Sequence, residues 1–113
     1  MNILVGEKLS SVTFVLDYLQ VDFDGNNLTL NVWPVVIIRD TEYKFGEPSY
    51  RDNLCLLIAQ VVKQAIEKEK QYLIISFESG DKLIVSLDPD NQDLMAPEIA
   101  IFTDSNENWC VFD

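Results

Sequence analysis

The sequence predicts an α+β fold in which a curved antiparallel sheet, made of two β-meander units, packs on one main helix at about residues 50–60. Apolar and polar residues alternate with a period of two over several segments, which is typical of half-buried strands. One central segment has helical spacing instead, and the strand pattern of the first half of the chain recurs in the second. At 113 residues the chain has the size of one domain, residues 1–113, so these elements are expected to share one core.

The first half of the chain has the pattern of strands joined by short turns. Alternation over Ser10–Phe23, with a break near Asp17, predicts strand, and Asp24–Asn27 has the chemistry of a hairpin turn. Leu28–Ile38 predicts the next strand, but Pro34 cannot donate a hydrogen bond to a neighbouring strand. That strand must therefore bulge, bend or lie at a sheet edge near Pro34.

The central helix is predicted to begin after Gly46 and Pro48, which end the preceding strand. Ser49 can cap this helix, and Asp52 lies in its first turn, near the positive end of the helix dipole. The apolar residues at helical spacing are Leu54, Leu57, Ile58, Val61, Val62, Ala65 and Ile66. This spacing alone predicts one continuous helix over residues 50–68.

An internal repeat favours a shorter helix. The segment Tyr18–Phe23 (YLQVDF) is echoed by Tyr72–Phe77 (YLIISF), at an offset of 77 − 23 = 54 residues. If both copies share one structure, Val62–Glu67 is a strand paired with Tyr72–Phe77, and the helix ends near Ala59 or Gln60. We prefer this short helix. The alternative is chance similarity between two ordinary hairpins, with the helix continuous.

The remaining elements follow from the same alternation. Glu42–Phe45 predicts a short strand, and Gln71–Phe77 forms a hairpin with Lys82–Leu87. Glu98–Thr103 predicts either a short strand or a helical turn, and Trp109–Phe112 predicts a closing strand. Strands are therefore expected to outnumber helices.

The charge balance limits the kinds of partner that the protein can have. Asp and Glu number 19 and Lys and Arg number 8, which gives a formal net charge of −11. This charge argues against nucleic acid and anionic membranes, and it leaves a basic protein as the expected partner. The chain has no His, so imidazole is absent as a general base and as a metal ligand. We predict no catalytic residues, no cofactor and no metal.

Two Cys residues are too few for a disulfide framework, and both are predicted to be core thiols. Cys55 and Cys110 are expected to be buried, reduced and dispensable. Met1–Leu9 lacks the basic and long apolar segments of a secretory signal. The apolar run Val35–Ile38 is far shorter than the roughly 18 residues that span a bilayer. The expected location is cytoplasmic.

A set of motifs runs through most of the chain, from Gly6 to Phe112. They are Val12–Tyr18 (VTFVLDY), Phe23–Gly25 (FDG), Phe45–Ile58 (FGEPSYRDNLCLLI) and Ile84–Leu87 (IVSL). Together these motifs resemble those of a set of small single-domain bacterial proteins that carry no established activity. The resemblance implies a self-contained bacterial domain, and it brings no catalytic residues with it.

The segment Gly46–Asp52 is the best candidate for a small-ligand site. Free backbone N–H groups at the start of a helix, together with Ser49, Tyr50 and Arg51, could hold an anion. The alternative is a simple helix cap in which Arg51 forms an ion pair with a neighbouring carboxylate.

The second candidate site is the acidic end of the chain, where residues 88–113 contain no Lys or Arg. Asp88, Asp90, Asp93 and Glu98 are the candidate contacts for a basic partner. The run 88–93 (DPDNQD) has oxygen-bearing side chains at some of the positions that a calcium loop uses. It lacks the central Gly and the final Glu that such a loop requires, so we expect no metal site there.

These observations predict a non-enzymatic acidic interaction domain, an inhibitor or immunity-type protein that binds a basic protein partner. The first alternative is a small-ligand-binding domain that uses Gly46–Asp52. The second is an enzyme of carboxylate chemistry, since a pair of acids is the remaining route to catalysis in a chain without His. The sequence leaves a homo-oligomer open, and it predicts neither nucleic-acid binding nor membrane binding.

Overall fold

Strands make up most of the regular structure in the computed structural model, which describes residues 2–88 and 98–112. A short 3-10 helix spans Asn2–Leu4, and the α-helix α1 spans Tyr50–Cys55. The strands are β1 Ser11–Phe14, β2 Leu19–Phe23, β3 Asn26–Leu30, β4 Val35–Ile38, β5 Thr41–Tyr43, β6 Val62–Lys68, β7 Tyr72–Phe77, β8 Lys82–Ser86, β9 Ala100–Thr103 and β10 Trp109–Phe112.

The strands form two antiparallel sheets of five strands each, where the sequence predicted one curved sheet. The first sheet has the order β1-β2-β3-β9-β10, and the second has the order β5-β4-β8-β7-β6. The buried side chains of both sheets belong to one hydrophobic core. The protein is therefore mostly β with one short helix in its described part, and the predicted arrangement of a sheet on a main helix is corrected by the six-residue length of α1.

The two sheets have the same topology, and each contains strands from both halves of the chain. In the first sheet a meander, β1-β2-β3, is extended by the hairpin β9-β10; in the second, the meander β6-β7-β8 is extended by the hairpin β4-β5. Each half thus contributes a meander to one sheet and a hairpin to the other. The strand order therefore matches that of a dimer in which two subunits exchange a hairpin.

A matched pair of hydrogen bonds supports the equivalence of the two halves. The backbone N–H of Arg39, just after β4, donates to Oδ1 of Asp81 at 3.0 Å. The backbone N–H of Ser105, in the turn after β9, donates to Oδ1 of Asn26 at 3.1 Å. Asn26 begins β3 and Asp81 precedes β8, so each bond ties an exchanged hairpin to the meander that receives it. The internal repeat predicted from Tyr18–Phe23 is therefore a structural repeat.

The predicted strand at Val62–Glu67 is confirmed, because these residues lie in β6 and pair with β7. The helix is shorter than predicted and ends at Cys55 rather than near Ala59 or Gln60. A β-bulge between Val62 and Gln64 explains why this strand has helical spacing. The extra residue turns the buried positions Val62 and Ala65 to the same face although they are three residues apart. Spacing of three is also what a helix face shows, so the pattern alone could not separate the two.

The predicted strand breaks lie where the chain turns or changes sheet. Val15 donates its backbone N–H to Tyr18 O at 2.9 Å in the turn between β1 and β2. The predicted strand Leu28–Ile38 is divided at Pro34, and there the chain crosses from the first sheet to the second. The predicted bend is confirmed. The segment predicted as either a short strand or a helical turn contains a strand, β9, at Ala100–Thr103.

The core joins alternating side chains of the sheets to the inner side of α1. Fully burying a Leu, Ile or Phe side chain is worth about 1.5–3 kcal/mol relative to exposure. The largest fully buried side chains are Leu4, Leu9, Leu19, Phe23, Leu28, Leu30, Leu54, Leu57, Leu73, Ile75, Phe77 and Leu83. The helix adds Tyr50 and Leu54 to this core and packs against β4 of the second sheet and β1 of the first.

The prediction that both thiols are buried is wrong. Cys55 and Cys110 are free and exposed. Cys55 follows the buried Leu54 on a helix so short that only its inner side meets the core. Cys110 lies on β10, the edge strand of the first sheet, beyond the limit of the core. None of the described helices is long and apolar enough to cross a membrane.

Candidate functional site

Three aromatic side chains meet at one end of the second sheet. Trp33 precedes β4 and Phe45 follows β5, and because these strands are antiparallel the two residues lie at the same end. Their rings stack with centroids 4.3 Å apart and an angle of 11° between the planes. The Phe45 ring also meets Tyr50 edge-on, with centroids 5.9 Å apart. We call Trp33, Phe45 and Tyr50 the aromatic cluster.

Tyr50 connects α1 to the second sheet through a side-chain hydrogen bond. Its side chain is 2% exposed, and its hydroxyl donates a hydrogen bond to the backbone oxygen of Pro34. Burial raises the pKa of Tyr50 well above its ordinary value, so the phenol stays a neutral donor. The start of the helix is thereby held beside the turn that precedes β4.

A cavity of about 300 Å³ opens beside the aromatic cluster, lined by Phe45–Glu47 and Ser49–Asp52. Phe45 is 51% exposed, which is unusual for a ring held by two aromatic contacts. Glu47 accepts a hydrogen bond from the backbone N–H of Lys44 at Oε1, at 2.9 Å, and this bond orients its side chain. The cavity therefore presents an aromatic ring and carboxylates together.

The predicted ligand residues Ser49, Tyr50 and Arg51 all line this cavity, but their local structure differs from the expectation. Ser49 has a left-handed φ of 70° and makes no capping hydrogen bond, so its predicted capping role is wrong. Tyr50 points into the core. Arg51 forms no ion pair with Glu47 or Asp52; its guanidinium carbon lies 5.7 Å from the centre of the Phe14 ring. The helix-cap alternative therefore lacks its expected contacts, whereas the anion-site hypothesis stays a prediction.

The structure describes only part of the acidic segment, residues 88–113, namely residue 88 and residues 98–112. Asp88 is half-buried, and its backbone N–H donates to Ser86 Oγ at 3.4 Å. Glu98 is also half-buried, and its backbone oxygen accepts from Asn31 Nδ2 at 2.9 Å. Asp90 and Asp93 lie outside the described residues. The two described candidate contacts therefore lie at the end of β8 and just before β9.

A buried carboxylate that the sequence did not single out lies at the opposite end of the second sheet. Asp81 is 8% exposed; its Oδ2 accepts from Gln60 Nε2 at 3.0 Å, and its own backbone N–H donates to Ser79 Oγ at 3.1 Å. Desolvation alone would raise its pKa, but hydrogen bonds from Gln60 and from the backbone of Arg39 outweigh it and hold the pKa below the ordinary value. This network is closed on itself, which indicates a structural role.

Two further cavities lie away from the aromatic cluster. One, of about 380 Å³, lies between the β6–β7 turn at Glu69 and Lys70 and the end of β10 at Phe112. The other, of about 500 Å³, is bounded by Gly6–Lys8 and by Ile58 and Ala59. Within residues 2–88 and 98–112, no three His, Cys, Asp or Glu side chains are grouped to hold a metal ion. The cavity beside the aromatic cluster differs from these two because an exposed, stacked aromatic ring lines it.

Sequence reasoning identified the segment but missed its most exposed aromatic residue. Trp33 is half-buried against the core, whereas the sequence predicted Phe45 only as the end of the strand Glu42–Phe45. Gly46, directly after Phe45, indicates only that a strand ends nearby, and β5 in fact ends at Tyr43, before the ring. No family model, no curated protein and no solved structure matches the chain. The resemblance to small bacterial proteins stays a prediction.

Proposed function

We propose that the protein is a non-enzymatic binding domain that recognises a basic protein partner, as an inhibitor or immunity-type protein does. The supporting observation is its unbalanced charge, since the sequence has 19 acidic and 8 basic residues. The described residues contain one ion pair, between Lys44 and Glu42 at 3.4 Å. Most surface carboxylates therefore have no cation beside them. A cationic surface would approach them without displacing a partner already present.

We further propose that the protein acts in the cytoplasm and binds neither nucleic acid nor anionic membranes. Two exposed free thiols suit a reducing compartment, where glutathione and thioredoxin keep such groups reduced. The net charge of −11 would repel phosphate backbones and anionic lipids.

The test is affinity capture from the source cell with the intact protein and with a variant in which Asp88, Asp90, Asp93 and Glu98 are changed to Asn or Gln. We expect one basic protein to be retained at about 0.1 M salt and released at about 1 M, where the Debye length falls from about 10 Å to about 3 Å. The variant is expected to lose that protein.

A matched variant controls for net charge alone. Asp17, Asp24, Asp40 and Glu78 are exposed acids away from Asp88 and Glu98, and their neutralisation changes the net charge by the same amount. This control should keep the partner. Capture that is equal for all three proteins and insensitive to salt would contradict the proposal.

A small-ligand-binding domain is the second candidate, because one observation favours it. The cavity beside the aromatic cluster, at about 300 Å³, is at the lower end of the size range of small-molecule sites. A ligand that raises the melting temperature of the intact protein, and fails to raise that of Phe45→Ala, would support this candidate. It would be contradicted if every stabilising ligand acted equally on both proteins.

A further inference from the structure

We propose that the aromatic cluster, with the carboxylates of Glu47 and Asp52, is the position where an arginine side chain of the partner docks. This inference rests on the proposed function, since it names the contact by which a basic protein would be recognised. It assigns the cavity at 45–52 to a guanidinium group rather than to an anion.

The aromatic part of the docking position is held by contacts within the protein itself. Phe45 is held by the stack with Trp33 on one side and by the edge contact with Tyr50, yet about half of its surface faces solvent. Tyr50 is in turn fixed by its hydrogen bond to Pro34 O. A planar guanidinium binds well to such a ring, because it can stack on the aromatic face while its edge donates hydrogen bonds.

The polar part consists of two carboxylates that line the same cavity. Oε1 of Glu47 accepts a hydrogen bond from the backbone N–H of Lys44, which leaves Oε2 available to a donor in the cavity. The Asp52 carboxylate makes no hydrogen bond or ion pair with any residue that the structure describes. A guanidinium has five N–H donors in a planar fork, enough to serve both carboxylates while it stacks on Phe45.

The protein's own arginine in this segment does not fill the position. Arg51 lies between the two carboxylates in sequence, but its guanidinium is directed at Phe14 on β1, in the first sheet. In this position Arg51 pairs with neither Glu47 nor Asp52. The cavity is therefore left with a net negative character, which disfavours anions and favours a cation from outside.

The position lies at the same end of the second sheet as the start of the acidic segment. β4 begins at Val35, opposite Ile84 of β8, so the turn containing Trp33 lies where β8 ends and Asp88 follows. A basic partner that approaches the acidic segment would reach the aromatic cluster in the same encounter. Arginine at a desolvated aromatic contact is among the residues that carry most binding energy in protein interfaces.

The test adds a defined probe, N-acetyl-arginine methylamide, to the 113-residue protein and follows the NMR shifts of the backbone amides. We expect the amides of residues 45–52 to shift in a saturable way. The lysine analogue should bind more weakly, because an ammonium is compact, strongly hydrated and unable to stack as a plane. Phe45→Ala and Asp52→Asn should each weaken the probe's affinity by about fivefold.

Phe45→Tyr and Asp40→Asn are the matched controls. The first keeps an aromatic face, and the second removes an exposed carboxylate at the opposite end of β4. Both should bind the arginine probe as the wild type does. A lysine probe that binds equally well, shifts scattered over all acidic turns, or unchanged binding by Phe45→Ala in a protein whose spectrum shows it folded would each overturn the inference.

Failure of the inference can be told from failure of the proposed function. If a basic partner is captured in a salt-dependent manner and Phe45→Ala still retains it, the docking position is wrong and the function stands. If the arginine probe binds at residues 45–52 but no basic protein is captured, the docking position stands and the proposed function is wrong.

Discussion

Asp81 and Asn26 occupy equivalent positions in the two halves, yet one carries a charge and the other does not. Each accepts a backbone hydrogen bond from an exchanged hairpin at Oδ1, and each is buried. We expect Asp81→Ala to lower the free energy of unfolding by about 1–3 kcal/mol, because the Arg39 N–H and Gln60 would lose their acceptor. Asp81→Asn keeps Oδ1 and should cost less, as urea unfolding would show. Equal losses for both variants would contradict this reasoning.

The charge on Asp81 also makes stability depend on pH. Its pKa is lowered in the folded state, so the unfolded chain binds the proton more tightly. The contribution is complete above the ordinary carboxyl pKa of about 3.9 and is lost as the pH falls through the lower folded value. The stability advantage of wild type over Asp81→Asn should therefore narrow as the pH falls below about 4. A constant difference across that range would show that the carboxylate contributes no such dependence.

The two thiols are accessible residues rather than core residues. We expect Cys55 and Cys110 both to react with a small disulfide reagent in the native protein at rates close to those of the unfolded chain. Because neither side chain fills the core, Cys55→Ala and Cys110→Ala should each change the free energy of unfolding by less than about 0.5 kcal/mol. Titration of native thiols and chemical unfolding measure the two effects. A thiol that reacts only after denaturation would contradict the exposed position.

At the scale of single elements, α1 depends on its attachment to the turn before β4. Tyr50→Phe removes the hydroxyl that donates to the buried Pro34 oxygen, and it should destabilise the protein by about 1–3 kcal/mol, measured by urea unfolding. Tyr43→Phe is the matched control, because the Tyr43 hydroxyl has no hydrogen-bond partner among the described residues. It should stay within about 0.5 kcal/mol of wild type. A loss as large in Tyr43→Phe would remove the special role of the Pro34 contact.

Elements were predictable from sequence where the information was local. Alternation identified most strands, and the recurrence of Tyr18–Phe23 at Tyr72–Phe77 outweighed the helical spacing of Val62 and Ala65. That spacing arises from a bulge, whose extra residue produces a period of three within a strand. The exposure of Phe45 could not be predicted, because it depends on how β5 pairs at the end of the sheet and on where Trp33 lies. Trp33 and Phe45 are far apart in sequence and meet only in the folded protein.

At the scale of the whole molecule, the exchange of hairpins was beyond the reach of sequence patterns. Both meanders and both hairpins have the alternation of ordinary strands, and nothing local states that β3 pairs with β9 or β8 with β4. Such pairings close long loops and are decided by how the whole core is buried. The sequence predicted a single sheet of two meander units and named no pairing between the halves, whereas in the protein each hairpin pairs with the meander of the other half.

This exchange predicts that neither half folds alone and that the two halves restore one another. Residues 1–58 contain β1–β5 and α1, but β3 would lack its partner β9 and its buried face would lose Ala100 and Phe102. Residues 59–113 would likewise lose β4 beside β8. We expect each fragment to give a narrow, unfolded amide spectrum and the equimolar mixture to give the dispersed spectrum of the intact protein. A fragment that folds on its own would mean that each meander can keep its own hairpin, and that the exchange is a consequence of chain connection rather than of side-chain fit.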